Sequence, residues 1–405
     1  MKYSKINISV LIFSVFLFPL NLLAQESMER IIYSLNNIIR PIETLKPDSN
    51  FEDIDFLTKT IADKEIISLG EVTHGTSEVF DYKDRLLRLL ITNLGYKAIG
   101  LESDFIAIEN IDEYINSRTD SLVFSPGSQI IATNRSMIEW LRKYNKTRIN
   151  QDKVHIYGLE ARGFVNVINK ILSVIPAIEE ADKKLLEKVK TAEYSKIQKT
   201  DISNLNVTIS NLQKITTNDL HKHYLVLLSQ LVDHYYETKI GSRDEHMAIN
   251  AIWIKERAKN NKLIIWAHNG HVAKTELYKN PSMGTYLNKQ YGSKYFVIAT
   301  DFNEGSVYVN VFVAKNKPLL GFQPHYYPEV NSNKAYEFYF KQCKFKNFII
   351  EIDPSMKDPV LSRFFNQSLD MRMIGALSIP ANKNLSISKN FDLIVFIDKT
   401  NSQFN

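Results

Sequence analysis

With 405 residues, 44% of them hydrophobic, the chain can bury one large core, and its 50 basic and 45 acidic residues leave a formal charge of only +5. The basic residues are interleaved with acids, as along 179–199, so a nucleic-acid-binding surface is not expected. Cys343 is the single cysteine, which excludes an intramolecular disulfide and leaves stability to the core.

At the start of the chain, Lys2 and Lys5 precede an apolar run over 8–24 that is broken by Pro19 and ends at Ala24. This pattern reads as a secretory signal peptide over 1–24, so the protein is expected to be exported, periplasmic or secreted, with no stable membrane span after cleavage. Residues 25–405 are then expected to form one domain.

Short β-branched runs alternate with helical stretches from there on, the signature of an α/β fold with a mostly parallel sheet covered on both faces. Strands are predicted over 65–69, 97–101, 154–159, 263–267, 295–300, 306–314, 348–352 and 392–397. Between the first two, Val79, Phe80, Leu86, Leu87, Leu90 and Ile91 recur at helical spacing, with Thr76 or Ser77 as N-cap and Gly95 beyond the end. A second helix is expected over 134–145. From about 164 to 260 strands vanish. Leu220, Tyr224, Leu227, Leu228, Leu231 and Tyr235 mark a long amphipathic helix, preceded by a charged one over 181–199, and this region reads as a helical insertion beside the cleft.

In an open parallel sheet, ligands bind beyond the carboxyl ends of the strands. The first strand runs into Gly70-Glu71-Val72-Thr73-His74-Gly75-Thr76, the second into Glu102-Ser103-Asp104, and the fourth into His268-Asn269-Gly270-His271. Three strand ends thus present Glu, His, Glu, His and His. Histidine titrates near neutrality and a carboxylate tunes it, which suits a general base acting on water or a hydroxyl. The expected assignment is His74 as base, Glu71 or Glu102 orienting it, and His268 as the electrophilic partner. No Gly-x-Ser-x-Gly elbow, His-Glu-x-x-His, Cys-x-x-Cys or Walker loop is present, which argues against a covalent serine mechanism and standard zinc chemistry.

Taken together, Leu69 to Thr76, Leu101-Glu102-Ser103 and Trp266 to Val272 resemble the signature blocks of the erythromycin esterases, in the same order and local spacing. Tyr157 to Glu160, Arg243 to Asn250 and Met283 to Leu287 fit as well. Glu160 stands where that family often has Asp, and Gly270 where a slightly larger residue is usual. The resemblance implies a three-layer α/β/α core with a helical region beside the cleft, and hydrolysis of a macrolactone ester, as in an erythromycin-type macrolide, by a histidine-activated water without a metal or other cofactor. It carries His74 over as base, Glu71, Glu102 and His268 as its essential neighbours, and Lys83 and Arg243 as contacts near the reacting carbonyl. Asn269 and His271 complete the expected substrate-binding set. The partner is then a small-molecule ester or lactone. Two other readings use the same His/Glu cluster: a metal-dependent hydrolase, and a non-catalytic exported protein that captures a small molecule.

Overall fold

The computed structural model describes residues 28–120, 122, 133–193, 196–236, 242–315 and 317–402. The expected signal peptide lies outside them. Among the described residues no helix is long and apolar enough to cross a membrane.

The fold is α/β. Its strands are β1 Arg40–Pro41, β2 Ile66–Glu71, β3 Ala98–Asp104, β4 His155–Glu160, β5 Leu263–His268, β6 Tyr295–Asn310, β7 Phe322–Tyr327, β8 Asn347–Glu351, β9 Leu369–Arg372, β10 Asn382–Leu385 and β11 Leu393–Thr400. Nine of them form one sheet in the order β1-β8-β11-β6-β2-β5-β3-β4, with β7 paired to β6, while β9 and β10 make a separate hairpin. The run from β11 to β4 is parallel throughout. The pairs β1·β8, β8·β11 and β6·β7 are antiparallel.

Alternate residues of each buried strand feed opposite faces, as the period of two requires. On β5, Ile264 and Trp266 join one core, together with helix Ser77–Leu94, while Leu263, Ile265 and Ala267 join the other, together with helix Ser242–Arg257. A third cluster, built from Phe164, Ile168, Leu205, Tyr224 and Leu228, lies among the helices between β4 and β5. Those helices are Phe164–Val174, Glu180–Thr191, Lys199–Ile215, Asp219–Tyr235 and Ser242–Arg257.

Two local expectations need correction, and one strand goes unpredicted. The predicted strands over 295–300 and 306–314 are one continuous strand, β6, because the apolar alternation persists through Val307 and Val309. The charged helix over 181–199 stops at Thr191 and a new one begins at Lys199. Strand β7, whose Phe322 reaches the site, is not among the predicted strands: Pro324 and His325 sit at its centre, and a proline argues against a strand. Helix Ser77–Leu94 matches its prediction: Thr76 is the extended N-cap residue, without a side-chain capping bond, and Gly95 closes it at φ 70, a left-handed conformation that glycine adopts without strain.

Candidate active site

Strands β2, β5, β3 and β4 are consecutive neighbours in the sheet, and their last residues include Glu71, His268, Glu102 and Glu160. Glu71 lies directly opposite His268 in the parallel register. A single edge of the sheet therefore gathers groups that the sequence separates by up to about two hundred residues.

The turn after β2 brings His74 back over Glu71. Its Nδ1 is 2.7 Å from Glu71 Oε1, and since Glu71 accepts on its other oxygen from Lys83 Nζ at 2.5 Å, the imidazole donates from Nδ1. Lys83 has no solvent exposure and lies over the Trp266 ring, 4.1 Å from its centroid. Buried charge is tolerated only when paired, and this pair satisfies both partners. Gly75 is required here, because a Cβ at that position would fall 2.1 Å from the Tyr308 carbonyl oxygen.

Glu102 is tied on the other side of the floor. Its Oε2 accepts the His268 backbone N–H at 2.8 Å, and Oε1 accepts from Arg243 Nη2 at 3.0 Å. Arg243 also donates twice to Glu160, both at 2.9 Å, and once to His271 Nε2 at 2.8 Å. The opposite nitrogen of His271 donates to Asp244 Oδ1 at 2.7 Å. The His74 and His268 rings lie 5.3 Å apart, and those of His268 and His271 6.2 Å apart. One ligand atom each from Glu71, His74 and Glu102 fall within 4.8 Å of one another.

These contacts set the protonation states. For Glu71 burial favours the neutral acid, but Lys83 and His74 outweigh it and its pKa is lowered. Glu102 likewise resists burial through His271, His74, Arg243 and His268, and stays well below the usual carboxylate range. Burial pulls His74 down, yet the Glu71 hydrogen bond and the charges of Glu102 and Glu71 prevail, so its pKa is raised above 6.5. Burial dominates for Lys83, held down to about 8, and for His268, pushed to about 3. His268 is thus neutral, donating from Nε2 to the Ile374 carbonyl at 3.1 Å and accepting the Gly270 N–H on Nδ1 at 3.1 Å.

The floor opens into a cleft of about 700 Å³ whose other wall is apolar: Tyr278, Phe322, Met373, Leu377, Ile379 and Pro380. A model of the erythromycin esterase family matches residues 91–400. The chain belongs to the erythromycin esterase family. The matched span begins after Glu71, His74 and Lys83, so these three rest on their own geometry.

Erythromycin esterase type II of Escherichia coli is 24% identical over 285 residues, covering 58% of this chain and 67% of its own length. A putative hydrolase of Bacillus subtilis, YbfO, is 21% identical, covering 61% of this chain and 67% of its own length. Among solved structures, the erythromycin esterase EreC in its open conformation superposes with a TM-score of 0.65 at 17% identity, covering 89% of this chain and 98% of its own. A Bacillus cereus protein superposes at 0.78 with 21% identity, covering 93% of this chain and 98% of its own. At such identities the structures establish the fold, and erythromycin esterase family membership points to a hydrolase.

Within this family member, Glu71, His74, Glu102 and His268 converge, and His74, Glu102, His268, His271 and Arg243 line the cleft. Two expected substrate contacts stand elsewhere. Lys83 is sealed behind Glu71, and Asn269 is fully buried with its amide donating to the Thr300 carbonyl at 2.8 Å. Lys83 lies on the buried face of helix Ser77–Leu94, and Asn269 opens the short helix Asn269–Val272 with its side chain turned to strand β6. His268 reaches the cleft, but backbone groups take both its ring nitrogens. Residues that the sequence reading passed over include Asp244, which orients His271, and Arg162, which holds Glu160 at 2.8 Å. Arg162 follows a strand end by two residues, the signal that singled out the others. The apolar wall over 373–380 left no such signal.

Proposed function

We propose that this chain hydrolyses a carboxylic ester, with a lactone such as a macrolide ring among the candidates, by water activated at His74. The observation that carries the reading is the His74 hydrogen bond: with Nδ1–H given to a Glu71 that Lys83 holds in place, Nε2 is left as the basic nitrogen, and the side chain is 22% exposed to the cleft. Spacing among Glu71, His74 and Glu102 suits one bridging water. Proton transfer to Nε2 generates hydroxide, which adds to the carbonyl, and the imidazolium then returns the proton to the departing alkoxide. Tyr278, whose phenol burial pushes up to about 12, stays protonated and supplies a donor facing the same space. His268, neutral and bonded to backbone, acts in this reading by holding the 374 carbonyl and the cleft wall.

A metal-dependent route has one observation in its favour, the cluster of Glu71, His74 and Glu102. Against it, both Glu71 oxygens already serve His74 and the Lys83 ammonium, contacts that an ion would have to share or displace. The test is incubation of purified protein with macrolides and simple esters, read by mass for a gain of one water. Turnover that His74→Ala abolishes and exhaustive chelation leaves unchanged is expected. Turnover that disappears with chelator and returns with stoichiometric metal would replace this mechanism by the metal-dependent one, and no product from any ester would remove the hydrolase reading.

A further inference from the structure

Two cavities meet at the arginines of the site. Besides the main cleft, a smaller chamber of about 250 Å³ opens on the helical side, where Gln230, His234 and His246 face Arg162 and Arg243. Arg162 and Arg243 line both spaces. The acid at this junction is Glu160, only 7% exposed, and it is fully engaged: it accepts from Arg162 at 2.8 and 3.3 Å and from Arg243 at 2.9 and 2.9 Å. Gln230 is tied to Asn250 in both directions, at 3.0 and 3.1 Å. On the helical side, Asp233 lies against His246, 3.4 Å away.

The two guanidiniums differ in what they have left. Every nitrogen of Arg243 is committed, Nε and Nη2 to carboxylates and Nη1 to His271. Arg162 gives Nε and Nη2 to Glu160 and the Glu102 carbonyl, while its Nη1 has no acceptor among the described residues and its side chain is 48% exposed. A half-exposed guanidinium, anchored by a buried carboxylate, therefore stands where the two cavities meet. A guanidinium edge held rigid in this way recognises an oxyanion, and the pairing is stronger than between neutral groups. Across the cleft lies the apolar wall of Tyr278, Phe322, Leu377 and Ile379.

We propose that the substrate is an amphipathic ester carrying an oxyanion, a carboxylate in the simplest case, which docks on Arg162 Nη1 while its apolar part lies on the 373–380 wall and its ester carbonyl faces His74. This rests on the hydrolase reading for the ester and on the cavity geometry for the anion. The two are separable by binding. N-benzylsuccinamic acid, an acid whose amide resists hydrolysis, and its neutral counterpart N-benzylbutanamide are titrated calorimetrically into the wild type, His74→Ala, Arg162→Gln and Arg162→Lys. Wild type and His74→Ala bind the acid about tenfold more tightly than the amide, as loss of one charge-assisted contact implies. Arg162→Gln loses that preference, and Arg162→Lys keeps part of it. Circular dichroism confirms that the variants fold; Glu160 retains both Arg243 contacts in each. In parallel the wild type is offered monobenzyl succinate and benzyl butyrate. Preferential binding without cleavage of either ester leaves the anion site standing, and with no product from the wider ester and macrolide panel it refutes the hydrolase reading. Equal affinity of the wild type for acid and amide, including failure to bind either, or a preference that survives in Arg162→Gln, overturns the proposal.

Discussion

Replacing Glu71 by Gln tests whether the Lys83 pair supports the base. Glu71 and Lys83 are 1% and 0% exposed, so the substitution leaves an ammonium buried without a counter-charge. Breaking a buried pair from one side costs about 3–5 kcal/mol. A ceiling follows from the lysine itself. Rather than stay charged, Lys83 can release its proton, and taking a lysine from its ordinary 10.5 to pH 7 costs about 5 kcal/mol. The folded wild type already bears about 3 kcal/mol of this, because Lys83 stands at about 8, so release of the proton caps the further loss at about 1.5 kcal/mol, below that range. Urea denaturation at pH 7 measures it. Adding Lys83→Met removes the stranded charge and keeps an unbranched apolar stem over Trp266, so the double variant regains most of the lost stability. It does not regain turnover, since His74 Nδ1 still lacks its carboxylate. A single variant that loses less than about 1 kcal/mol, or a double variant no more stable than the single, would refute the account of Lys83 as the anchor of Glu71.

Three more outcomes are expected. Because His74 acts as base only when neutral and its pKa is raised above 6.5, kcat/KM for an accepted ester climbs along a limb above pH 6.5; Glu102→Gln removes a charge that raises it and moves the limb down by about one pH unit, and an unmoved limb counts against contact between the two. The same raised pKa means that the stabilisation from His74 is fully present below 6.5 and lost as pH rises through the folded value. Gly75→Ala, forced against the Tyr308 carbonyl, destabilises by about 2 kcal/mol in denaturant titrations and lowers kcat, whereas Gly163→Ala, with nothing within 4 Å of the new Cβ, changes neither.

Much of the site was legible because a parallel sheet has one functional edge, and residues that end neighbouring strands must meet there. That rule found Glu71, Glu102 and His268 without any knowledge of strand order. It could not say which way a side chain points once the strand has ended. Asn269 follows His268 by one residue and turns back to Thr300, while His271, three residues on, returns to the cleft. Lys83 was recoverable from periodicity: it lies four residues from Val79 and Leu87 and three from Phe80 and Leu86, on the buried face of its helix. A lysine there demands a buried acid, and Glu71 was the candidate at hand. The cleft wall over 373–380 had no comparable handle. Its place depends on contacts with distant segments, Ile374 N–H to the Val72 carbonyl and Ser378 N–H to the Asn310 carbonyl, which no local pattern encodes.

The assignment of the base also follows from what the other groups cannot do. Glu71 and Glu102 are held as carboxylates by cations and imidazoles, well away from protonation at neutral pH. Lys83 lies near 8 but is sealed from the cleft. His268 lies near 3 with both nitrogens engaged by backbone, and His271 is clasped between Asp244 and Arg243. Tyr278, near 12, can donate but not accept a proton at neutral pH. Among the described residues lining the cleft, His74 combines a pKa displaced upward from 6.5, a ring nitrogen without a protein partner and access to the space where substrate fits. The charges around it have a definite division of work: Glu71 fixes the ring through Nδ1, Glu102 favours its protonated form from across the floor, and Lys83 and Arg243 keep those two acids ionised so that neither competes for the proton.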